Sequence, residues 1–441
     1  MVAVTEPRAG ASIVVRRTPV SIVAICTLLM IFEGYDIFSY GVVVPALLAH
    51  PGWALTPAYA GLIGSAGIFG MLVGALVVGV LTDRLGRKAM FVGAVALFSI
   101  GMALCAWAPT PEALLACRVL VGIGSGGFLP TALAFVVEST PAHRRNFVVA
   151  VVSSGVAVGG AVAAVLGAAV LPALGYRFVF LVGLLPLIVL VPIVVARVPE
   201  SISYLVAAGR VDEARATVAR HRLAIDIVDA PAGPAGGQPP SAFGAFASLF
   251  TREHLAATLV FWFGTAFCMV LIFGANTWLP AIMLAAGYGL TSSLGFLAAL
   301  NLGVVVGSLI TAWLADRRGP KMFVLIGFAT CVLALLTLAH RPPAALTFLL
   351  VMLVGFGAGG TQNLINSYLA IYYGPEHRGT GVGAALAFGR IGGIVGPIYG
   401  GLVLAGDVST AMHFYAFVVP AALALLTFAL GPRVTVAEAT P

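Results

Sequence analysis

Four ionisable residues stand inside long apolar stretches of this chain: Glu33, Asp36, Arg118 and Arg390. A charged side chain at the centre of a membrane costs about 2.5–3.5 kcal/mol on insertion scales, so those that are kept pair with one another, line a wet path or meet a ligand. Glu33 and Asp36 are spaced to share one face of a helix. Burial and a neighbouring cation push a carboxyl group in opposite directions, so an acid held between them can load and release a proton. Asp36 is the expected proton carrier, Glu33 a second one, and Arg118 the cation that tunes them. The alternative is a static ion pair that fixes two helices. Arg390 has no acid at similar depth in neighbouring spans of its own half. Its planar fork of donors suits a carboxylate ligand, the alternative being packing onto backbone carbonyls.

These residues need a membrane scaffold. Of the 441 residues, 61% are hydrophobic and 9% charged, against about 25% charged in a soluble protein. Too little polar surface remains for a soluble skin. Runs of about 20 apolar residues can cross a bilayer. Such runs occur near 20–48, 57–82, 89–108, 111–137, 146–171, 177–196, 254–284, 292–315, 321–340, 343–373, 380–404 and 409–431. In lipid each must satisfy its own backbone, so each is a helix. The ten-residue alternation of a membrane β-barrel is absent. The 53 glycines suit closely packed membrane helices. The predicted fold is an all-α membrane protein of twelve transmembrane helices in two pseudo-symmetric six-helix bundles. Its expected parts are an N-terminal tail (1–19), a first bundle (20–197), a central loop (198–252), a second bundle (253–432) and a C-terminal tail (433–441). Within the loop, 210–223 has the pattern of a short amphipathic helix with Val211, Ala214 and Val218 on one side, and 231–240 reads as a Pro/Gly linker.

Lys and Arg set the orientation. With both termini inside, the cytoplasmic segments hold Arg8, Arg16, Arg17, Arg84, Arg87, Lys88, Arg144, Arg145, Arg317, Arg318, Lys321, Arg378 and Arg433, and the other face only Arg177 and Arg341. The net charge of +7 therefore reports topology, and no nucleic-acid partner is expected. Arg16 and Arg17 precede an apolar run too long for a signal peptide, which reads as an uncleaved first span. The five cysteines lie in predicted spans without metal-ligand spacing, so packing is their expected role and no metal or cofactor is expected.

The halves repeat each other. GVLTDRLGRK at 79–88 is matched by ITAWLADRRGPK at 310–321, VGIGSGG at 121–127 by VGFGAGG at 354–360, and PAHRR at 141–145 by PEHRG at 375–379. Asp83 and Asp316 are 233 residues apart, and His143 and His377 are 234 apart. Parallel repeats of six spans imply a pseudo-two-fold axis along the membrane normal and a ligand site between the halves at mid-depth.

The architecture and the signature at Gly79–Lys88 resemble the major facilitator superfamily. Within it, EGYDIFSYGVVVPAL at 33–47, PESISYL at 199–205 and FGRIGGIVGP at 388–397 are similar to the aromatic acid:proton symporters, with sugar porters and organic-ion carriers as relatives. That family's first motif usually begins D-G-x-D; here Glu33 keeps the charge on a longer side chain. The resemblance implies that an acid and an arginine at the positions of Asp36 and Arg118 serve proton coupling. It further implies a cytoplasmic gate at Asp83, Arg84, Gly86, Arg87 and Glu138, with Arg144, Arg378 and Asp316 in the matched segments. Topology and loop structure are the plainer reading of the gate residues. The second copy is incomplete, because Pro320 replaces an arginine.

Polar and aromatic residues that could hold or stack on a ring lie on the same spans: Asn276, Thr277, Asn301, Gln362, Asn363 and Asn366, with Tyr35, Phe38, Tyr40, Trp278, Tyr368 and Phe388. Interhelical hydrogen bonding and core packing are their bland alternatives. Enzyme chemistry is excluded by the lack of a nucleophile motif or metal cluster. ATP drive is excluded because the two lysines, Lys88 and Lys321, lie in no phosphate-binding loop. The expected function is proton-coupled uptake of a small organic acid, an aromatic carboxylate such as a hydroxybenzoate, by a monomer in the cell inner membrane. A sugar or polyol porter, a proton-coupled drug antiporter and a ligand-binding membrane sensor are the alternatives.

Overall fold

The computed structural model describes residues 11–15, 18–141, 144–221, 225–229, 242–406 and 408–432. The first half contains α1 (Val20–Leu48), α2 (Pro57–Leu85), α3 (Arg87–Trp107), α4 (Pro111–Glu138), α5 (Arg145–Val182) and α6 (Val191–Arg197). Outside the bundles lie β1 (Ala11–Val15) before α1 and, in the central loop, α7 (Ile202–Ala207), α8 (Val211–His221), β2 (Ile225–Asp229) and α9 (Ala242–Ala247). The second half holds α10 (Leu255–Ala285), α11 (Leu290–Arg318), α12 (Pro320–Leu338), α13 (Ala344–Gly357), α14 (Gly359–Tyr372), α15 (Gly374–Ala405) and α16 (Thr410–Ala429).

Among the described residues, eleven helical stretches are long and apolar enough to cross a membrane. The expected fifth and sixth spans are joined in α5, whose backbone breaks at Gly175 with φ 73° and ψ 177°. The sixth crossing then continues through a π-helical turn, Pro186–Leu190, into α6. The expected tenth span is two helices, α13 and α14, parted at Ala358.

Local chemistry sets the helix ends. Thr56 and Thr110 cap α2 and α4, accepting from Tyr59 N at 3.3 Å and Ala113 N at 3.2 Å, and a proline follows each cap. The α2 helix runs past its expected end at 82, so Asp83 and Arg84 occupy its last turn rather than a loop. The chain reverses into α3 at Gly86, with φ 89° and ψ 157°; Gly319 repeats this between α11 and α12 with φ 82° and ψ 154°. Only glycine adopts this region freely. Each lysine then reaches the carboxyl end of the last crossing in its half. Lys88 Nζ donates to Val195 O at 2.8 Å, and Lys321 Nζ to Ala429 O at 2.9 Å and Gly431 O at 2.5 Å. A cation there also meets the negative end of the helix dipole.

In the first bundle α1 packs on α5, and α4 on both α2 and α3; in the second, α10 packs on α15 and α16, α11 on α13 and α14, and α12 on α13 and α16. The bundles meet along α2–α15, α5–α11 and α1–α10. The close contacts across these seams lie toward the end that carries the α1–α2 connection. They include Ser65 Oγ donating to Ile394 O at 2.5 Å, the Phe38 and Phe273 rings 6.4 Å apart, and Gly160 against the Asn301 side chain.

The amphipathic helix of the loop is α8, with Ala214 buried and Val218 packed beside Ile202, Leu205 and Ile225. Beyond that expectation, the N-terminal segment enters this cluster: β1 pairs antiparallel with β2, Ala11 opposite Asp229 and Val15 opposite Ile225. The Pro/Gly stretch at 231–240 lies outside the described residues.

Candidate functional site

Between the bundles lies a cavity lined by side chains of both halves. From the first bundle, α1 contributes Asp36, Phe38 and Tyr40, α2 contributes Ile68 and Met71, and α4 contributes Arg118 and Ser125. From the second, α10 contributes Phe273, Asn276 and Thr277. The helical period explains each group. Asp36 and Tyr40 are one turn apart on α1, Arg118 and Ser125 two turns apart on α4, and Phe273 and Asn276 one turn apart on α10.

Asp36 is held from two sides. Ser125 Oγ donates to its Oδ2 at 3.0 Å, and Arg118 Nη1 lies 3.5 Å from its Oδ1. That ion pair is loose: Asp36 Oδ1 and Arg118 Nε and Nη1 have no hydrogen-bond partner among the described residues, although all are buried. The guanidinium sits over Tyr40, 5.3 Å from the ring centroid, a cation–π contact worth about 2 kcal/mol when desolvated. Tyr40 is itself fixed by donating to Ala60 O at 2.6 Å. The arrangement presents unspent donors beside aromatic walls from both halves, which suits a flat anionic ligand.

Glu33 is fully buried, and neither of its oxygens has a hydrogen-bond partner among the described residues. The charges acting on it are Asp36 on its own helix and Arg390 of α15, across the seam between bundles. The sequence places no acid beside Arg390 within its own half; its counter-charge comes from the other one. Arg390 does not line the cavity described above.

Of the residues expected to hold or stack on a ligand, Phe38, Tyr40, Asn276 and Thr277 line this cavity, and the following are engaged elsewhere. Tyr35 turns to the sixth crossing and donates to Val179 O at 2.7 Å. Trp278 is buried and donates to Pro397 O at 2.7 Å. Gln362 donates to Asn366 at 3.1 Å, and Asn363 donates to Ser308 at 3.3 Å. Phe388 stacks on Trp262 with centroids 4.9 Å apart. Asn301 donates to Asn276 Oδ1 at 3.0 Å behind the cavity wall. Ser125, Phe273, Ile68 and Met71 were not singled out by sequence reasoning. Projecting one helical face from Arg118 finds Ser125, and one from Asn276 finds Phe273. Ile68 and Met71 carry no such signal.

At the loop end, Arg87 pairs with Glu138, and Ser201 Oγ donates to Glu138 Oε2 at 2.5 Å. Glu200 Oε1 accepts from Lys88 N at 2.9 Å and Ser201 N at 3.0 Å, so the PES segment closes over the start of α3. Arg144 is exposed at the start of α5, and Arg378 Nε donates to Ala370 O at 3.0 Å. The side chains of Asp83, Arg84 and Asp316 lie outside the described residues.

A family model described as the Major Facilitator Superfamily matches residues 26–397 and 302–440. The chain belongs to the Major Facilitator Superfamily. It is thus a multi-pass membrane transporter rather than an enzyme. Relatives within the superfamily include a gentisate transporter of Corynebacterium glutamicum, 37% identical over 91% of this chain and 85% of that protein. A benzoate transport protein of Acinetobacter baylyi is 33% identical over 92% and 88%. The 4-hydroxybenzoate transporter PcaK of Pseudomonas aeruginosa is 32% identical over 95% and 93%. These names match the resemblance to aromatic acid symporters. Among solved superfamily structures, a D-xylose–proton symporter superposes with TM-score 0.72 at 16% identity, covering 94% of this chain and 98% of that one. A bacterial homologue of the lysosomal transporter Spinster gives 0.71 at 15% identity, covering 93% and 95%. At such identities the likeness concerns the fold.

Proposed function

We propose that the chain imports a small aromatic carboxylate together with a proton, by alternating access between its two bundles. The carrying observation is the loose Asp36–Arg118 pair in the cavity wall, with Arg118 donors unspent and Tyr40 beneath them. A proton on Asp36 frees Arg118 from its counter-ion, and the carboxylate of the ligand takes that place. The ring then lies against Phe38, Tyr40 and Phe273. When acid and proton leave, Asp36 and Arg118 pair again. The buried charge stays balanced in both loaded and empty states, which a low-dielectric site requires. The names of the relatives, for gentisate, benzoate and 4-hydroxybenzoate, support an aromatic acid.

The distribution of Lys and Arg supports an inner-membrane protein with both termini in the cytoplasm. The seam contacts then close the outer side, so the structure corresponds to the inward-facing limb of the cycle. The Arg87–Glu138 pair, Glu200 and the turns at Gly86 and Gly319 form the inner gate region. The transporter acts as a monomer of two bundles, 20–197 and 253–432, joined by the loop 198–252.

Uptake of labelled benzoate and 4-hydroxybenzoate into vesicles of the purified protein tests this reading. An acidic exterior should drive accumulation above equilibrium, and Asp36→Asn should permit at most downhill entry. Uphill uptake by Asp36→Asn equal to that of the wild type, or drive by the opposite gradient, overturns it.

A further inference from the structure

Cys105 and Cys117 take no part in the proposed transport chemistry, yet the packing of α3 on α4 brings them together. Phe98, Gly101 and Cys105 recur at i, i+3 and i+7 on α3, and Cys117, Val121 and Gly124 at i, i+4 and i+7 on α4, so each set is one stripe. The helices run antiparallel and the stripes meet in register. A Cβ at Gly101 would lie 3.2 Å from Val121 Cα, and one at Gly124 would lie 2.5 Å from Phe98 N. The next step in the same register sets Cys105 opposite Cys117. Both are free thiols, Cys105 buried and Cys117 half-buried. Close backbone approach at the glycines is what a disulfide needs, since its Cα atoms must come within about 4.4–6.8 Å. Cys117 directly precedes Arg118, and Cys105 lies in the electrostatic neighbourhood of both Arg118 and Asp36.

We propose that Cys105 and Cys117 form a reversible dithiol–disulfide pair that sets the position of Arg118. A peroxide oxidises the Cys117 thiol to a sulfenic acid and leaves as water. The Cys105 sulfur then attacks the Cys117 sulfur, the S–S bond forms, the S–O bond breaks and a second water departs. One peroxide and two thiols thus give one disulfide and two waters. A small thiol reverses the step by exchange. An S–S bond of about 2.05 Å is much shorter than a contact between two thiols, so its closure draws α4 onto α3 at the residue before Arg118. A displacement of about 1 Å at a positioning group can cost a hundredfold in rate. The bond rests on the helix packing alone, whereas its effect on uptake rests on the assignment of Arg118 above.

The test treats the purified full-length protein in vesicles with hydrogen peroxide and reads two quantities. Intact mass and maleimide labelling report the bond: two thiols should disappear together and return with dithiothreitol, and neither Cys105→Ser nor Cys117→Ser should form it. Uptake of labelled 4-hydroxybenzoate reports the consequence: the oxidised wild type should slow at least tenfold and recover on reduction, while both serine variants keep their rate in peroxide. Persistence of both free thiols overturns the pair whatever is transported. A disulfide that leaves uptake unchanged overturns its hold on Arg118. Absence of aromatic acid uptake before oxidation counts against the proposed function instead, and mass and labelling still decide the bond.

Discussion

Glu33 of α1 and Arg390 of α15 lie within electrostatic reach of each other across the seam between the bundles, with no ion pair closed between them among the described residues. Each is therefore the group of opposite sign that bears on the other. Neutralising one leaves the other without its opposite charge, and neutralising both removes the conflict. Glu33→Gln and Arg390→Gln are each expected to lower the thermal unfolding midpoint in detergent. The double variant should be more stable than the sum of the single losses implies, with a coupling of about 2 kcal/mol. Strict additivity over the four proteins would show that the two charges do not sense each other.

Arg118 and Arg390 should respond differently to the same conservative change. Lysine keeps the charge but loses the planar fork and the flat stacking surface. Arg118 uses both, toward Asp36 and over Tyr40, and lines the cavity, whereas Arg390 does not line it. Arg118→Lys is expected to weaken binding of 4-hydroxybenzoate about tenfold or more, the equivalent of about 1.4 kcal/mol. Arg390→Lys should change it less. Titration calorimetry on the purified variants ranks them, and the reverse order would move the anion site to α15.

Much of this arrangement is legible in the sequence, because membrane helices obey few rules. Apolar length gives the crossings, and the expense of intramembrane charge singles out Glu33, Asp36, Arg118 and Arg390. The repeated Gly-rich and D-R-x-G segments give the two halves. What escapes is decided by contacts distant in sequence. The partner of Arg390 lies on α1, more than three hundred residues away, where no local pattern points to it. Trp278 and Tyr35 are aromatics on the right helices, yet their polar atoms are consumed by Pro397 and Val179 carbonyls. Pairing of β1 with β2 was hidden by the shortness of both strands, five residues each.

Tyr40 joins the site in two ways that single substitutions can separate. Its ring lies beneath Arg118, and its hydroxyl donates to Ala60 O at 2.6 Å on the neighbouring helix. Tyr40→Phe keeps the ring and should retain most acid binding, while losing about 1 kcal/mol of stability with the buried hydrogen bond. Tyr40→Leu removes the ring face and should weaken binding as well. Equal affinity losses in the two variants would assign the role of Tyr40 to its hydroxyl.

Glu200 makes the PES segment a clamp on the turn between α2 and α3. Its Oε1 accepts from Lys88 N and Ser201 N, and a Cβ at Gly86 would lie 2.8 Å from its Oε2. Beside it, Glu138 receives Arg87 and the Ser201 hydroxyl. Glu200→Ala strips acceptors from the first turn of α3, where an acidic partner also meets the helix dipole, and should cost about 1–2 kcal/mol. Gly86→Ala forces alanine to φ 89° against Glu200 and should cost about 1–3 kcal/mol. In Glu200→Ala the nearest neighbour of that new methyl is gone and Tyr204 Cε1 at 3.2 Å remains, so the added cost of Gly86→Ala should shrink toward the backbone strain. Unfolding midpoints of the two single variants and the double variant measure this. Simple additivity would mean that Glu200 does not bear on the turn.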